Sequence, residues 1–282
     1  MIYSKFNKGY FGIVFSVAIF ALFFLINFLQ INPRVDIRLY LYVIVGFILG
    51  VVLFFFGFGL FSQKRLIENT PTSKIGSIAM GPAEVYGKAV SLKSIKAPIT
   101  NHDCVYYHYI VEEHVGSGKS SHWEVLKEDE SSTNFYVQDK TGKVLVDPRE
   151  AVVDIPQDYY TGIGGWSSVP PLIKNFAKRY DINLGNFLGM TNQMRFTEFY
   201  IAPGDMIYVF GTADENPNVG VTAHSTENVI IKKGKHLKFF YISDKPEKDV
   251  LKSLSTKVYL YIIGGGLLSI GSLAVLLYLN TV

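Results

Sequence analysis

Cysteine is almost missing from this chain: 282 residues contain one, Cys104. A single thiol excludes an intramolecular disulfide and any zinc site built from several thiolates. A charge excess is also missing. Residues 62–256 carry 22 Lys+Arg against 23 Asp+Glu, and the formal +3 of the whole comes mainly from the flanks. A near-neutral middle lacks the basic footprint of a nucleic-acid-binding domain, so no nucleic-acid partner is expected. No Gly-x-Ser-x-Gly elbow occurs, which removes one common hydrolase signature. Gly162-Ile163-Gly164-Gly165 is not followed by the Gly-Lys-Ser/Thr of a phosphate loop, so it reads as a turn. No catalytic residue, cofactor or metal ligand is assigned.

Charge is missing altogether from three long runs. Residues 11–29 read FGIVFSVAIFALFFLINFL, 39–61 read LYLYVIVGFILGVVLFFFGFGLF, and 258–280 read VYLYIIGGGLLSIGSLAVLLYLN. A bilayer core is crossed by about 20 mostly apolar helical residues. The expected fold class is therefore a membrane protein with three transmembrane α-helices and one predominantly β (α+β) extramembrane domain. The expected division is a membrane hairpin over 1–61, a β-rich domain over 62–256, and a C-terminal span over 257–282. No Asp, Glu, Lys, Arg or His lies inside any of these runs, which argues against a pump or transporter.

Small residues recur at helical spacing within the runs. Gly46 and Gly50 share one face of the second, and Gly265 and Ser269 share one of the third. Such faces let backbones approach closely, either between the spans of one chain or between copies in a homo-oligomer. Lys5, Lys8, Lys64, Arg65, Lys74, Lys252 and Lys257 fall on one side of this arrangement, Arg34 and Arg38 on the other. The positive-inside rule then puts the N-terminus and the domain in the cytoplasm and the C-terminus opposite, in a multi-pass protein of the cell or an organelle membrane.

The middle segment shows period-two patterning. Tyr106, His108 and Ile110 alternate with Tyr107, Tyr109 and Val111, as in a strand. NFYVQDKTGKVLVDP reads as a hairpin turning at Asp139-Lys140-Thr141-Gly142 and closed by Pro148. Residues 195–210 give a second strand pair around Pro203-Gly204-Asp205. Residues 155–194, with Gly162, Gly164, Gly165, Pro170 and Pro171, read as an irregular aromatic-rich insertion with one short helix. Its Tyr159, Tyr160, Trp166, Phe176 and Tyr180 form a satellite cluster, line a groove or dip into the bilayer surface. His108, Ile110, Glu112 and His114 would share one strand face with Cys104 and Tyr106. Six residues of extended chain separate His108 from His114 by about 20 Å, too far for one ion.

The order of these short motifs resembles the GIDE domain, also called the beside-a-membrane domain, of the MULAN family of mitochondrial E3 ubiquitin ligases. The residues that carry the resemblance run from Ile75-Gly76-Ser77-Ile78 through Gly81, Glu84 and Gly87 to Tyr106-Tyr107. They continue through Asp139, Gly142 and Pro148 to Glu198, Gly204-Asp205 and Gly211. The resemblance covers about residues 75–245. Family ligases also carry a RING, which needs eight Cys and His zinc ligands; one cysteine in these 282 residues does not supply them. The recurrent residues read as structural, with Gly81, Gly87, Gly142 and Gly204 at tight turns and Glu84, Glu198 and Asp205 capping or pairing at strand ends. The expected function is a non-enzymatic, membrane-anchored module that binds a protein partner or senses the lipid bilayer. The alternatives are a ligase-related protein relying on a RING from another chain, and a membrane-bound hydrolase using the Trp166 region.

Overall fold

The computed structural model describes residues 36–116, 118–131, 133–185, 191–217, 228–235 and 239–281. Three α-helices occur among them: α1 (Ile37–Glu68), α2 (Pro171–Arg179) and α3 (Glu247–Thr281). The chain divides into two compact units. One is Met1–Asn69 with Glu247–Val282; the other is Thr70–Pro246.

The helical unit corrects the fold class expected from hydropathy. Among the described residues two helices, not three, are long and apolar enough to cross a membrane. Residues 11–29, read as a first span, lie outside the described residues. α1 outruns its apolar stretch: SQKRLIE stays helical, with Lys64 paired to Glu68 at 3.0 Å one turn on. Its start is capped by Asp36, whose carboxylate accepts the Arg38 amide at 2.9 Å, the usual rescue of an orphan N–H. α3 opens with Glu247 and Asp249, which suit the positive end of its dipole.

The glycines of the two helices meet each other. A Cβ on Gly50 would stand 2.8 Å from the Gly265 carbonyl oxygen and 2.5 Å from Ser269 Oγ. One on Gly46 would stand 2.9 Å from Ser272 Oγ. The small-residue faces therefore serve contact within one chain. A Cβ on Gly264 would meet nothing within 4 Å among the described residues, which supplies a control. Gly50→Leu is expected to loosen the α1–α3 pair and speed its proteolysis in detergent micelles, while Gly264→Leu leaves the cleavage rate unchanged.

The other unit is a mixed α/β body around a barrel-like core. Its strands are β1 (Gly81–Val90), β2 (Ile95–Lys96), β3 (Asp103–Cys104), β4 (Tyr106–Val115), β5 (His122–Glu130), β6 (Phe135–Gln138) and β7 (Lys143–Val146). They continue with β8 (Val152–Asp154), β9 (Tyr159–Gly165), β10 (Thr191–Ile201), β11 (Met206–Glu215), β12 (Val229–Lys232) and β13 (Tyr241–Ser243). Five strands close a ring in the order β1-β6-β7-β12-β11 and back to β1. Every step is antiparallel except β7 to β12. This is the strand order of a small Greek-key barrel of the OB type. β13 and β8 extend the sheet from the free end of β11. Alternate residues of each strand fill the interior: Ala83, Val85 and Ala89, then Phe135 and Val137, then Ile207 and Val209. Gly87 belongs to the inward series, and a Cβ there would collide with the Gln138 carbonyl. It is required by the tightness of the β1–β6 crossing and not, as expected from sequence, by a turn.

The two long excursions from the barrel, between β1 and β6 and between β7 and β11, meet in a second sheet of order β5-β4-β10-β9. α2 covers one face. Ile173 and Phe176 of α2 pack with Tyr109, Val111, Met194 and Phe196. Residues 155–194 are thus more regular than their glycines implied, since Tyr159–Gly165 pairs with β10 as a strand.

Candidate functional site

The opposite face of the second sheet is set by register. His108, Ile110, Glu112 and His114 of β4 stand beside Phe199, Thr197 and Arg195 of β10. On the outer side they meet Glu130, Glu128, Val125 and Trp123 of β5. Tyr160 of β9 completes the row of Thr197. Large apolar groups remain in water here: Trp123 and Val125 are each 40% exposed and Tyr160 56%.

The polar groups of this face are matched in pairs. Arg195 forms a two-pronged ion pair with Glu112 and lies over the Trp123 ring, 4.4 Å from its centroid. The carboxylate raises the Arg195 pKa further, which keeps the guanidinium charged. His108 bonds Glu128 at 2.8 Å and stacks on Phe199. His114 meets Trp123 edge-on. The shared face expected for His108, Ile110, Glu112 and His114 is present, while Cys104 belongs to the separate strand β3. Cys104 is buried, and burial, with the charges of Glu198 and Asp103, pushes its thiol up to about 12. Such a thiol is a poor nucleophile.

The aromatic residues of the 155–194 stretch part company. Tyr159, Phe176 and Tyr180 join the cluster under α2. Tyr160 faces outward, and Trp166 is 76% exposed. Beside it, Ser167 Oγ donates to the Gly164 carbonyl at 2.7 Å, so that hydroxyl serves a turn.

The motif residues are dispersed through the fold. Glu84 is buried on β1 and accepts from Thr72 Oγ1 at 2.6 Å and Tyr208 OH at 3.0 Å. Tyr106 is buried in the barrel core and donates to Glu130, whereas Tyr107 lies against the α2 cluster. Glu198 is fully buried and accepts from the amides of Ile99 and Thr100 and from the Thr100 hydroxyl. Asp205 accepts the Ala202 amide and so shapes the β10–β11 turn, where Gly204 has φ +98° and bonds the Ala89 carbonyl. Gly81 has φ +112° at the start of β1. Gly211 sits where a Cβ would meet Ile231 and Phe240 at 2.8 Å. Pro148 accepts the Ala151 amide just after β7. Gly142 donates its amide to Asp139 in the β6–β7 turn.

Asp139 organises that turn. One carboxylate oxygen accepts from the Thr141 amide and hydroxyl and the Gly142 amide; the other accepts the Ile75 amide. Burial opposes ionisation, but these hydrogen bonds outweigh it and hold the pKa below the ordinary value. A depressed folded pKa contributes stability above the unfolded value, about 4, and that contribution fades as pH falls through the folded value. Asp139→Asn is therefore expected to lower the thermal midpoint near neutral pH, with the gap to the parent narrowing below about pH 4. Melting curves of both proteins across pH 2–7 check this.

Among the strands not foreseen from sequence is β5. HWEVLKEDE breaks period-two patterning because the β4–β5 register shifts at Val111/Glu112, leaving Leu126 as an extra residue. The usable signal was the exposed Trp123 and Val125 two apart.

No characterised protein and no solved structure matches the chain. A family model does: the one described as GIDE, E3 ubiquitin ligase, matches residues 106–277. The match starts at Tyr106, after the Gly81–Gly87 motif, and runs through most of α3, beyond the limits that the sequence motifs outlined. With more than half its length matched, from the first residue of β4 into the long apolar helix, this chain belongs to the GIDE family.

Proposed function

We propose that this GIDE-family protein is a membrane-anchored docking module that holds a protein partner beside the bilayer. The observation that carries the proposal is the aromatic face of the second sheet. Trp123, Val125 and Tyr160 stay in water, although α2 closes the opposite face completely enough to bury Ile173 and Phe176. Exposed aromatics beside a guanidinium form the composition that interfaces favour. The two apolar helices that flank the domain in sequence support attachment to a membrane by length and composition. Lys64, Arg65, Lys74, Lys252 and Lys257 near their domain-proximal ends support a cytoplasmic domain.

The family description favours a second reading, in which the partner is a RING-bearing chain and the assembly transfers ubiquitin. Both are tested by a photo-crosslinking amino acid placed at Tyr160 of the full chain in native membranes, with exposed Lys96 of β2 as the control position. A defined protein adduct at Tyr160 and none at Lys96 is the expected result. A RING protein in that adduct selects the second reading. Adducts with lipid alone replace partner docking by lipid sensing, and identical products at both positions refute a dedicated face.

A further inference from the structure

The second sheet ends in β5, which pairs with β4 along one side only. Its nine residues contain neither proline nor glycine, and eight of the nine are exposed. One side of this strand therefore presents main-chain donors and acceptors with no strand partner among the described residues, the template on which another strand adds. The side chains decide what can add. Glu124, Glu128, Asp129 and Glu130 outnumber Lys127, for a net charge of −3. Two copies pairing along this edge would bring together two strands that both carry this negative charge, which like-charge repulsion disfavours. The charge that blunts the edge against a second copy is matched by a strand of opposite sign.

We infer that β5 is a β-augmentation site for an extended, lysine- or arginine-rich segment of the partner protein. The inference rests on the docking function proposed above and names the chemistry of its occupant. Register fixes the specificity. On the aromatic face, the added strand meets Trp123 and Val125 at one end, where apolar side chains fit. It meets Glu128 and Glu130 at the other, where basic ones fit. Main-chain bonds supply affinity that depends little on sequence, and the acidic end selects the direction and sign of the added strand.

The test uses the full chain in nonionic detergent and a labelled nine-residue peptide whose alternate residues are valine in one half and lysine in the other, with threonine between them. Controls are the same peptide with glutamate for lysine, and one with alternate backbone nitrogens methylated. The expected result is binding of the lysine peptide, weakening with salt, and loss of binding on methylation. The double variant Glu124→Lys/Glu128→Lys should bind the lysine peptide about tenfold more weakly. It should also gain binding of the glutamate peptide, which an unfolded protein would not do. No binding of the lysine peptide, equal binding of the methylated peptide, or unchanged preference in the variant would each overturn the assignment. If the peptide fails while Tyr160 still crosslinks a protein, the edge is wrong and partner docking stands; if both fail, so does the docking function.

Discussion

Replacing Glu198 by alanine is expected to destabilise the Thr70–Pro246 unit by about 3–5 kcal/mol, a loss large enough to unfold many domains. Glu198 is inaccessible to solvent in mid-strand, and its carboxylate is spent on one loop. Oε1 accepts the Ile99 amide at 2.6 Å, and Oε2 accepts the Thr100 amide at 2.9 Å and its hydroxyl at 2.6 Å. Alanine removes three charge-assisted bonds and strands a buried amide, since Ile99 is itself 2% exposed. Each stranded donor costs about 1–3 kcal/mol. Glu198→Gln keeps one carbonyl oxygen in place and should lose roughly half as much. Thermal melting of the full chain, followed by near-ultraviolet circular dichroism, separates the two. Equal midpoints for parent and alanine variants would show that the carboxylate does not hold the loop.

Phe176→Ala is expected to cost a similar amount, about 3–5 kcal/mol. The ring is the only aromatic residue of α2 and is almost wholly buried. Tyr109 and Phe196 meet it edge-on at 5.3 and 6.1 Å, and Tyr180 leans on it at 4.7 Å. The hole left would be roofed by a helix of nine residues, too short to be stable without its packing. α2 should then detach and expose the sheet to protease near Lys174 and Lys178. Tyr109→Phe is the matching control. The Tyr109 hydroxyl is buried without a hydrogen-bond partner among the described residues, so removing it should change stability by less than about 1 kcal/mol in either direction. A Phe176→Ala protein that melts with the parent would place the support of α2 elsewhere.

Local chemistry made some of this fold legible in sequence and topology concealed the rest. The β6–β7 hairpin was readable because Asp139 and Gly142 announce their turn and an apolar run flanks it on each side. The strand character of Tyr106–Val111 was readable because one face packs on α2 and the other does not, which forces alternation. β9 was not, because three glycines in Tyr159–Gly165 suppress β propensity while Thr191–Ile201 supplies the ladder that overrides it. Closure of the barrel was also invisible. It depends on β1 meeting β11 and on β7 meeting β12 in parallel, pairings between segments far apart in the chain that no local pattern encodes. At the candidate face, the alternation of His108, Ile110, Glu112 and His114 gave one strand's contribution. Its partner Arg195 comes from a strand 83 residues on from Glu112, and Trp123 comes from β5, whose register shift hid its alternation. The turn role expected for Gly87 failed for the same reason: the close neighbour is a carbonyl fifty-one residues later in sequence.

The parallel pairings set an order of events during synthesis. β12 and β13 must be made before the ring can close on β7 and its extension can reach β8. Ser243 ends β13 and Glu247 begins α3, so three residues separate the last strand from the second long apolar helix. While the ribosome exit tunnel still hides Ser243, it also hides the start of that helix. Barrel completion and emergence of α3 from the tunnel must therefore coincide, and a chaperone that delays one will delay the other.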